Sequence, residues 1–135
     1  MTTPGTMATA QEVYATIASD DSAPFLALCA DDVTIVYPAA GRLPYGGEWH
    51  GRDGAATFLE AHDEAEEILS FDVTKIIADG DTAVAVGRFA GRSKPSGRTW
   101  STAFAHVLTI ADGRLRRFHV HFDSDAAVRA RVGGD

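Results

Sequence analysis

The chain has 135 residues, 45% of them apolar, and 19 acidic residues against 12 basic ones give a formal net charge of −7. This length predicts one domain with its own core, and the acidic balance argues against nucleic acid or an anionic membrane as a partner. The single cysteine, Cys29, cannot form an internal disulfide, and the first ten residues lack the apolar segment of a signal peptide. We therefore expect a cytoplasmic protein without a membrane span.

The first half of the chain predicts three helices and one strand. Apolar residues recur at helical spacing in residues 11–19, and residues 20–22 offer the cap of a second helix. β-Branched and aromatic residues at 33–37 predict a strand, which Pro38 ends. After a glycine-rich loop, Asp53 offers the cap of the third helix.

The second half predicts an antiparallel sheet. The predicted strands are 71–78, 82–90, 98–110 and 115–123, and glycine-containing hairpin turns join the first pair and the last pair. We therefore predict an α+β fold, in which a curved, mainly antiparallel sheet wraps around the three helices. The predicted domain covers residues 10–127, between a flexible N-terminus (1–9) and a tail (128–135); a helical turn is expected at 126–131.

One predicted strand carries a histidine on an otherwise largely apolar face. Alternate residues share one side of a strand, and in segment 98–110 this side consists of Trp100, Thr102, Phe104, His106, Leu108 and Ile110. A buried imidazole needs a partner, because an unpaired polar group costs about 1–3 kcal/mol. Two interpretations follow: a core histidine bonded to a backbone group, or a functional histidine that transfers protons, with its pKa lowered by burial.

The order of elements and several short motifs resemble the nuclear transport factor 2-like superfamily, and within it the SnoaL-like polyketide cyclase and ketosteroid isomerase branch. The motifs are ADDVTIVYP (30–38), GEWHGRD (47–53), ADGD (78–81), ADGR (111–114) and the strand end Phe122-Asp123. The resemblance covers about residues 10–127. It implies a cone-shaped fold, often homodimeric, with an internal pocket for a hydrophobic small molecule.

The resemblance also implies where catalytic groups lie. Ketosteroid isomerases place a general-base aspartate directly before the proline that ends the first strand, and this chain has Tyr37 there. Their oxyanion tyrosine aligns with Val13, next to Tyr14. Their second aspartate aligns with His106.

The last predicted strand has two different faces. SnoaL-like cyclases and limonene epoxide hydrolases resemble one another in using an acid on this strand, where this chain has Val120 on the inner face and Asp123 at the end. His119 and His121 lie on the opposite, polar face, and such a pair can bind a metal. We interpret the pair as solvated or dimer-facing, and predict neither a metal nor a cofactor.

These positions together predict an apolar pocket with few polar groups, which is typical of a ligand site. We assign catalysis to His106, Tyr37 and Asp123. The predicted substrate-binding residues are Tyr14, Trp49, Phe58, His62, Phe89, Phe104, Phe118, Val120 and Phe122.

Two further segments flank this pocket. Tyr45 and Trp49 lie on the glycine-rich loop and are expected to form a lid or rim. The acidic run Asp63, Glu64, Glu66 and Glu67 is interpreted as a solvated helix face.

The predicted function is a cofactor-independent enzyme of isomerase or cyclase type, acting by proton transfer on a hydrophobic cyclic or polyketide-like molecule. A dehydratase or epoxide hydrolase on the same fold is one alternative, and a non-catalytic ligand-binding or dimerisation module is another. Val84, Val86 and Val107 alternate away from the pocket, and an exposed apolar face predicts a homodimer.

Overall fold

Four helices and six strands make up the part of the chain that the computed structural model describes, residues 5–19 and 21–133. In chain order they are α1 (Thr6–Ile17), α2 (Ala23–Leu28), β1 (Cys29–Tyr37), β2 (Gly47–His50), α3 (Gly51–Ala65), β3 (Glu66–Asp79), β4 (Thr82–Ser93), β5 (Thr99–Ala111), β6 (Arg114–Phe122) and α4 (Ser124–Val132). Within this part, no helix is long and apolar enough to cross a membrane.

The six strands form one sheet in the order β2-β1-β6-β5-β4-β3. Strands β3 to β6 are an antiparallel meander, as the sequence predicts. Strand β1 then lies parallel to β6 and antiparallel to β2. The α+β prediction of a curved, mainly antiparallel sheet is confirmed.

The hairpin between β5 and β6 follows directly from its turn residues. Asp112 and Gly113 both have positive φ, 55° and 72°. A two-residue turn with positive φ at both positions matches the twist of the flanking strands, and an aspartate followed by glycine adopts it readily. The strand pairing on either side of this turn is therefore fixed locally.

The sheet bends where β3 pairs with β4. Its register shifts between Val73 and Lys75, and such a bulge bends the strand and increases its twist. Gly87 lies opposite, where a side chain would collide with the carbonyl of Asp72 and the ring of Phe104. A residue without Cβ is thus required at this point, and the sheet acquires a concave face.

The concave face is the buried one. Along β4, Ala83, Ala85, Gly87 and Phe89 are buried, while the residues between them are at least partly exposed. Helices α1 and α3 pack against this face, α3 mainly on β1, and α4 packs on β4 and β5. The buried rows of the sheet and the inner faces of the helices form a single core.

The ends of several elements differ from the prediction. Helix α1 begins at Thr6, before the predicted domain start at residue 10, and α4 is a full helix rather than one turn at 126–131. Strand β3 begins at Glu66 rather than at residue 71, because the chain passes from α3 into the strand without a loop.

The helix caps also differ in part. Helix α3 begins at Gly51 after the extended residue His50, so Asp53 lies in its first turn instead of capping it. The cap of α2 is Ser22; Asp20 lies outside the described residues. Asp123 caps α4, where its carboxylate accepts a hydrogen bond from the backbone of Ala126.

Candidate functional site

A partly enclosed apolar cavity of about 120 Å³ lies between the concave face of the sheet and helices α1 and α3. An apolar cavity of roughly 150 Å³ holds benzene, so this one has room for about one ring. Ile68 belongs to its wall and is 49% exposed, which places the mouth beside the start of β3. The sequence-predicted residues that line it are Tyr37, Phe58, His62, Phe89, Phe104, His106, Phe118, Val120 and Phe122.

Helix α1 brings Tyr14 against His106 on the wall of the cavity. The Tyr14 hydroxyl and Nδ1 of His106 are 2.8 Å apart, and the two side chains are 9% and 6% exposed. The imidazole also stacks on Phe104, with ring centroids 4.4 Å apart. The partner of this histidine is therefore a side chain and not the backbone group of the first interpretation.

Both members of the pair are neutral at pH 7. Burial lowers the pKa of His106 to about 3, in the direction expected from the sequence, with a smaller contribution from His121. Burial also raises the pKa of the Tyr14 hydroxyl. The hydroxyl has no other partner among the described residues, so we assign it as the donor to Nδ1, and the proton of the neutral imidazole is then on Nε2.

Helix α3 places a second histidine at the cavity. His62 lies in its last turn and lines the wall, with its ring 4.6 Å from that of Tyr45. Burial lowers its pKa to about 4, so it is uncharged at pH 7. Protonated His62 is therefore about as acidic as an ordinary carboxylic acid, and neutral His62 is about as basic as an aspartate.

Tyr37 stands at the end of β1, where ketosteroid isomerases have their aspartate. Its ring lines the cavity and packs against Phe58 and Phe122 at centroid distances of 5.3 Å. Burial, and next the negative charge of Glu66, raise the pKa of its hydroxyl. Tyr37 is therefore a neutral phenol that can donate a hydrogen bond, and it cannot replace a carboxylate base.

The sequence prediction was wrong for one acidic residue. Glu66 is 2% exposed rather than solvated. Its carboxylate accepts hydrogen bonds from the Tyr45 hydroxyl at 2.8 Å and from Nε1 of Trp100 at 2.9 Å. Glu66 begins β3 pointing into the core because α3 ends one residue earlier. Glu66 follows Phe58 and His62 at intervals of four residues, so its helical spacing with these two residues was the available signal.

Several predicted site residues lie outside the cavity wall. Asp123 is exposed and caps α4, so it is not positioned to act on a ligand in the cavity. Trp49 donates from Nε1 to the carbonyl of Tyr45 and packs on Phe58, behind the lining. Tyr45 is completely buried and is therefore not a lid. Tyr14 is not part of the wall, but its hydroxyl bonds His106, which is.

The polar face of β6 lies on the other side of the sheet from the cavity. His119 and His121 have ring centroids 4.2 Å apart there. Nowhere in residues 5–19 and 21–133 do three histidine, cysteine or acidic side chains group as metal ligands do.

Comparisons with known proteins agree with this architecture. A family model described as the SnoaL-like domain matches residues 10–118. No protein of curated function matches significantly in sequence.

Solved structures share the fold at low identity. An NTF2-like protein from Burkholderia xenovorans is 24% identical, with 97% of this chain and 98% of that chain covered and a TM-score of 0.85. TerC, co-crystallised with polyporic acid, is 24% identical, with 94% and 98% covered and a TM-score of 0.81. A Catenulispora acidiphila protein with a ketosteroid isomerase-like fold, in complex with trimethylamine, is 19% identical, with 99% and 96% covered and a TM-score of 0.78. Because the family model spans most of the chain, this protein belongs to the SnoaL-like domain family and has the NTF2-like fold.

Proposed function

We propose that this protein is a cofactor-independent enzyme of isomerase or cyclase type that moves a proton within a cyclic molecule carrying a carbonyl group. The observation that carries the proposal is the hydrogen bond between Tyr14 and His106 on the wall of an apolar cavity. Ligand sites of small-molecule enzymes combine an apolar lining with a few fixed polar groups, and this cavity has that composition.

His106 has the role of a neutral hydrogen-bond donor in this proposal. Its Nε2–H has no partner among the described residues and belongs to a side chain of the cavity wall. A carbonyl oxygen bonded to it becomes more negative as the neighbouring carbon loses a proton, and a fixed donor in a dry site stabilises that charge. The hydrogen bond that Tyr14 donates to Nδ1 polarises the imidazole and strengthens the donor.

His62 is the proposed base. Its neutral imidazole takes a proton from the carbon next to the carbonyl, and the electron pair of the broken C–H bond moves onto the oxygen held by His106. When the substrate has a β,γ double bond, the enolate is a conjugated dienolate, and the imidazolium returns the proton to its γ carbon. The double bond moves into conjugation with the carbonyl, which completes an isomerisation without an external reactant. Tyr37, a neutral phenol on the same wall, donates a second hydrogen bond to the ligand.

The other activities considered have weaker support. SnoaL-like cyclases and limonene epoxide hydrolases use an acid on the last strand, whereas here Val120 lines the cavity and Asp123 lies outside it, so isomerisation is better supported than cyclisation or epoxide opening. A non-catalytic binding module is the second candidate, because none of the described residues in the cavity wall is a carboxylate. The complex of TerC with polyporic acid supports ligand binding in this fold under either function.

Hydrogen–deuterium exchange tests the proposal without knowledge of the product. Single-ring ketones and enones are incubated with the protein in D2O, and NMR follows deuterium incorporation next to the carbonyl. We expect the wild-type protein to accelerate the exchange of at least one compound and His62→Gln to abolish that acceleration. Binding without exchange throughout the panel would favour the non-catalytic module.

We also propose that two copies associate through the outer face of the sheet. Val84 and Val107 are directly paired across β4 and β5, and with Val86 they remain partly exposed. A contiguous apolar patch of this kind marks an interaction surface. Light scattering at tens of micromolar, an ordinary range of affinity, should give the mass of a dimer, and Val86→Lys should halve it.

A further inference from the structure

The carboxylate of Glu66 is buried beside the cavity and has no ion-pair partner within the described part of the chain. Its two hydrogen-bond donors, the Tyr45 hydroxyl and the Trp100 indole, are both neutral. Arg131 is near enough to lower the pKa of Tyr45, but the effect of Glu66 on that hydroxyl is larger and opposite.

Both partners of this carboxylate connect it to the cavity. Trp100 forms part of the cavity wall, so Glu66 lies directly behind that ring. Tyr45 packs edge-on against Tyr37, which also lines the cavity, with ring centroids 5.1 Å apart. The negative charge therefore acts on the interior of the cavity across a single layer of side chains. Burial is the main cause of the raised pKa of Tyr37, and the charge of Glu66 raises that pKa further.

The described part of the wall offers the hydrogen-bond donors His106 and Tyr37 but no positive charge that would pair with an anion. Among the described residues, no lysine or arginine lines it. The two histidines of the wall, His62 and His106, are both neutral at pH 7. An anionic ligand would lose its hydration, gain no ion pair and meet the repulsion of Glu66.

We propose that the cavity takes an uncharged molecule of about one ring, and that Glu66 is the residue that excludes anions from it. This inference names the ligand class of the site in the proposed function and rests on that site. A cavity of about 120 Å³ sets the size, and the buried carboxylate behind Trp100 sets the charge.

The expected size of the effect follows from Coulomb's law. A unit charge roughly 8 Å from the ligand, at an effective dielectric constant of about 20, changes the affinity on the order of 10- to 30-fold. This is large enough to select between ligands of the same shape. It is also small enough to measure as a change in Kd.

Three single-ring probes test the inference on the wild-type protein at neutral pH: phenol, benzoate and benzylammonium. NMR titration follows the indole N–H signals, with Trp100 in the wall as the reporter and Trp49 behind it as the internal control. We expect phenol to bind at least tenfold more tightly than benzoate, with benzylammonium between them. Both ions lose hydration, so their order reports the sign of the charge at the cavity. Equal binding of the two ions, stronger binding of benzoate than of benzylammonium, or tightest binding by benzylammonium would overturn the inference.

Glu66→Gln removes the charge with little change in shape. The glutamine oxygen can accept from Trp100, which only donates, and its amide can donate to the Tyr45 hydroxyl, which can also accept. We expect the preference for phenol over benzoate to shrink about tenfold. Glu64→Gln, the same change at an exposed position of α3, is the matched control and should leave the preference intact. An unchanged preference in Glu66→Gln would overturn the role of Glu66.

The two proposals fail separately. Deuterium exchange depends on His62 and can be absent while the order of binding holds. The order of binding depends on Glu66 and can fail while exchange is observed. If Glu66→Gln does not fold, the comparison of benzoate with benzylammonium in the wild-type protein still decides the sign of the charge.

Discussion

Two buried tyrosines donate hydrogen bonds to two buried acceptors, and the acceptors differ in whether they can still form a hydrogen bond to a ligand. Tyr14 bonds Nδ1 of His106, whose second nitrogen keeps its proton for a ligand. Tyr45 bonds Glu66, whose other carboxylate oxygen is already taken by Trp100. The first acceptor lines the cavity and is neutral, whereas the second lies behind the wall. One pair is therefore suited to contact a ligand, while the other fixes the wall and the electrostatic potential within it.

Replacing His106 should have the largest effect on activity. His106→Leu removes the donor from the wall, and we expect deuterium exchange to fall 10²- to 10³-fold, the usual loss of one fixed donor to a developing oxyanion. His106→Gln should retain more activity, because its amide can accept from Tyr14 and donate to the ligand. Thermal unfolding measured in parallel separates loss of activity from loss of structure. Equal losses in both variants would mean that His106 itself gains or loses a proton.

Removing the carboxylate of Glu66 should lower the stability of the protein. Glu66→Leu leaves Tyr45 and Trp100 without an acceptor, and each buried unpaired donor costs about 1–3 kcal/mol. We therefore expect the free energy of unfolding in urea to fall by about 2–4 kcal/mol. Glu64→Leu, on the exposed side of α3, should change it by less than about 0.5 kcal/mol. If Glu66→Leu had the same free energy of unfolding as the wild-type protein, Glu66 would not be the residue that fixes this part of the wall.

The buried histidine should also couple stability to pH. The pKa of His106 is about 3 in the folded state and about 6.5 when unfolded, so between these values only the unfolded chain binds the proton. Its contribution to stability is complete above pH 6.5 and is lost as the pH falls, by about 1.4 kcal/mol per pH unit.

Urea unfolding at a series of pH values checks this coupling. His106→Gln should flatten the acid branch of the curve by that slope. His50→Gln, at an exposed histidine, should leave it unchanged. Parallel curves for the wild type and His106→Gln would mean that His106 titrates alike in both states.

The smallest expected effect comes from the partner of His106. Tyr14→Phe removes one hydrogen bond, whose net value is about 0.5–1.5 kcal/mol, so exchange should slow by up to about tenfold. Tyr45→Phe is the matched change in the other region and should affect stability more than exchange. If the reaction were slower in Tyr45→Phe and unchanged in Tyr14→Phe, the Tyr45–Glu66 pair and not the Tyr14–His106 pair would support catalysis.

Local patterns predicted most of the fold. The alternation along β5 identified the buried face that carries His106, and the turn at Asp112 and Gly113 fixed the last hairpin. These features depend on neighbours in sequence, so a single chain suffices to find them. The family resemblance, which itself rested on the order of these elements, added the cone shape and the internal pocket.

Contacts between distant residues could not be predicted in this way. Tyr14 and His106 are 92 positions apart, and the aligned family position fell on Val13, one residue away, which is completely buried. The position of the Glu66 side chain depends on where α3 ends, because with a helix one residue longer β3 would begin with Glu67. The ends of elements are the least regular part of any sequence pattern.

The parallel pairing of β1 with β6 has a consequence for how the chain folds. The two strands are joined in register at Ile35 and Phe118, and Asp32 and Arg116 form an ion pair between them at 2.6 Å. Closing so long a loop costs entropy before any contact is gained, whereas the hairpins from β3 to β6 close locally. We therefore expect the meander to form early in folding and the docking of β1 to limit the rate. Since β1 carries Ile35 and Tyr37 to the wall, the cavity is completed only in that last step.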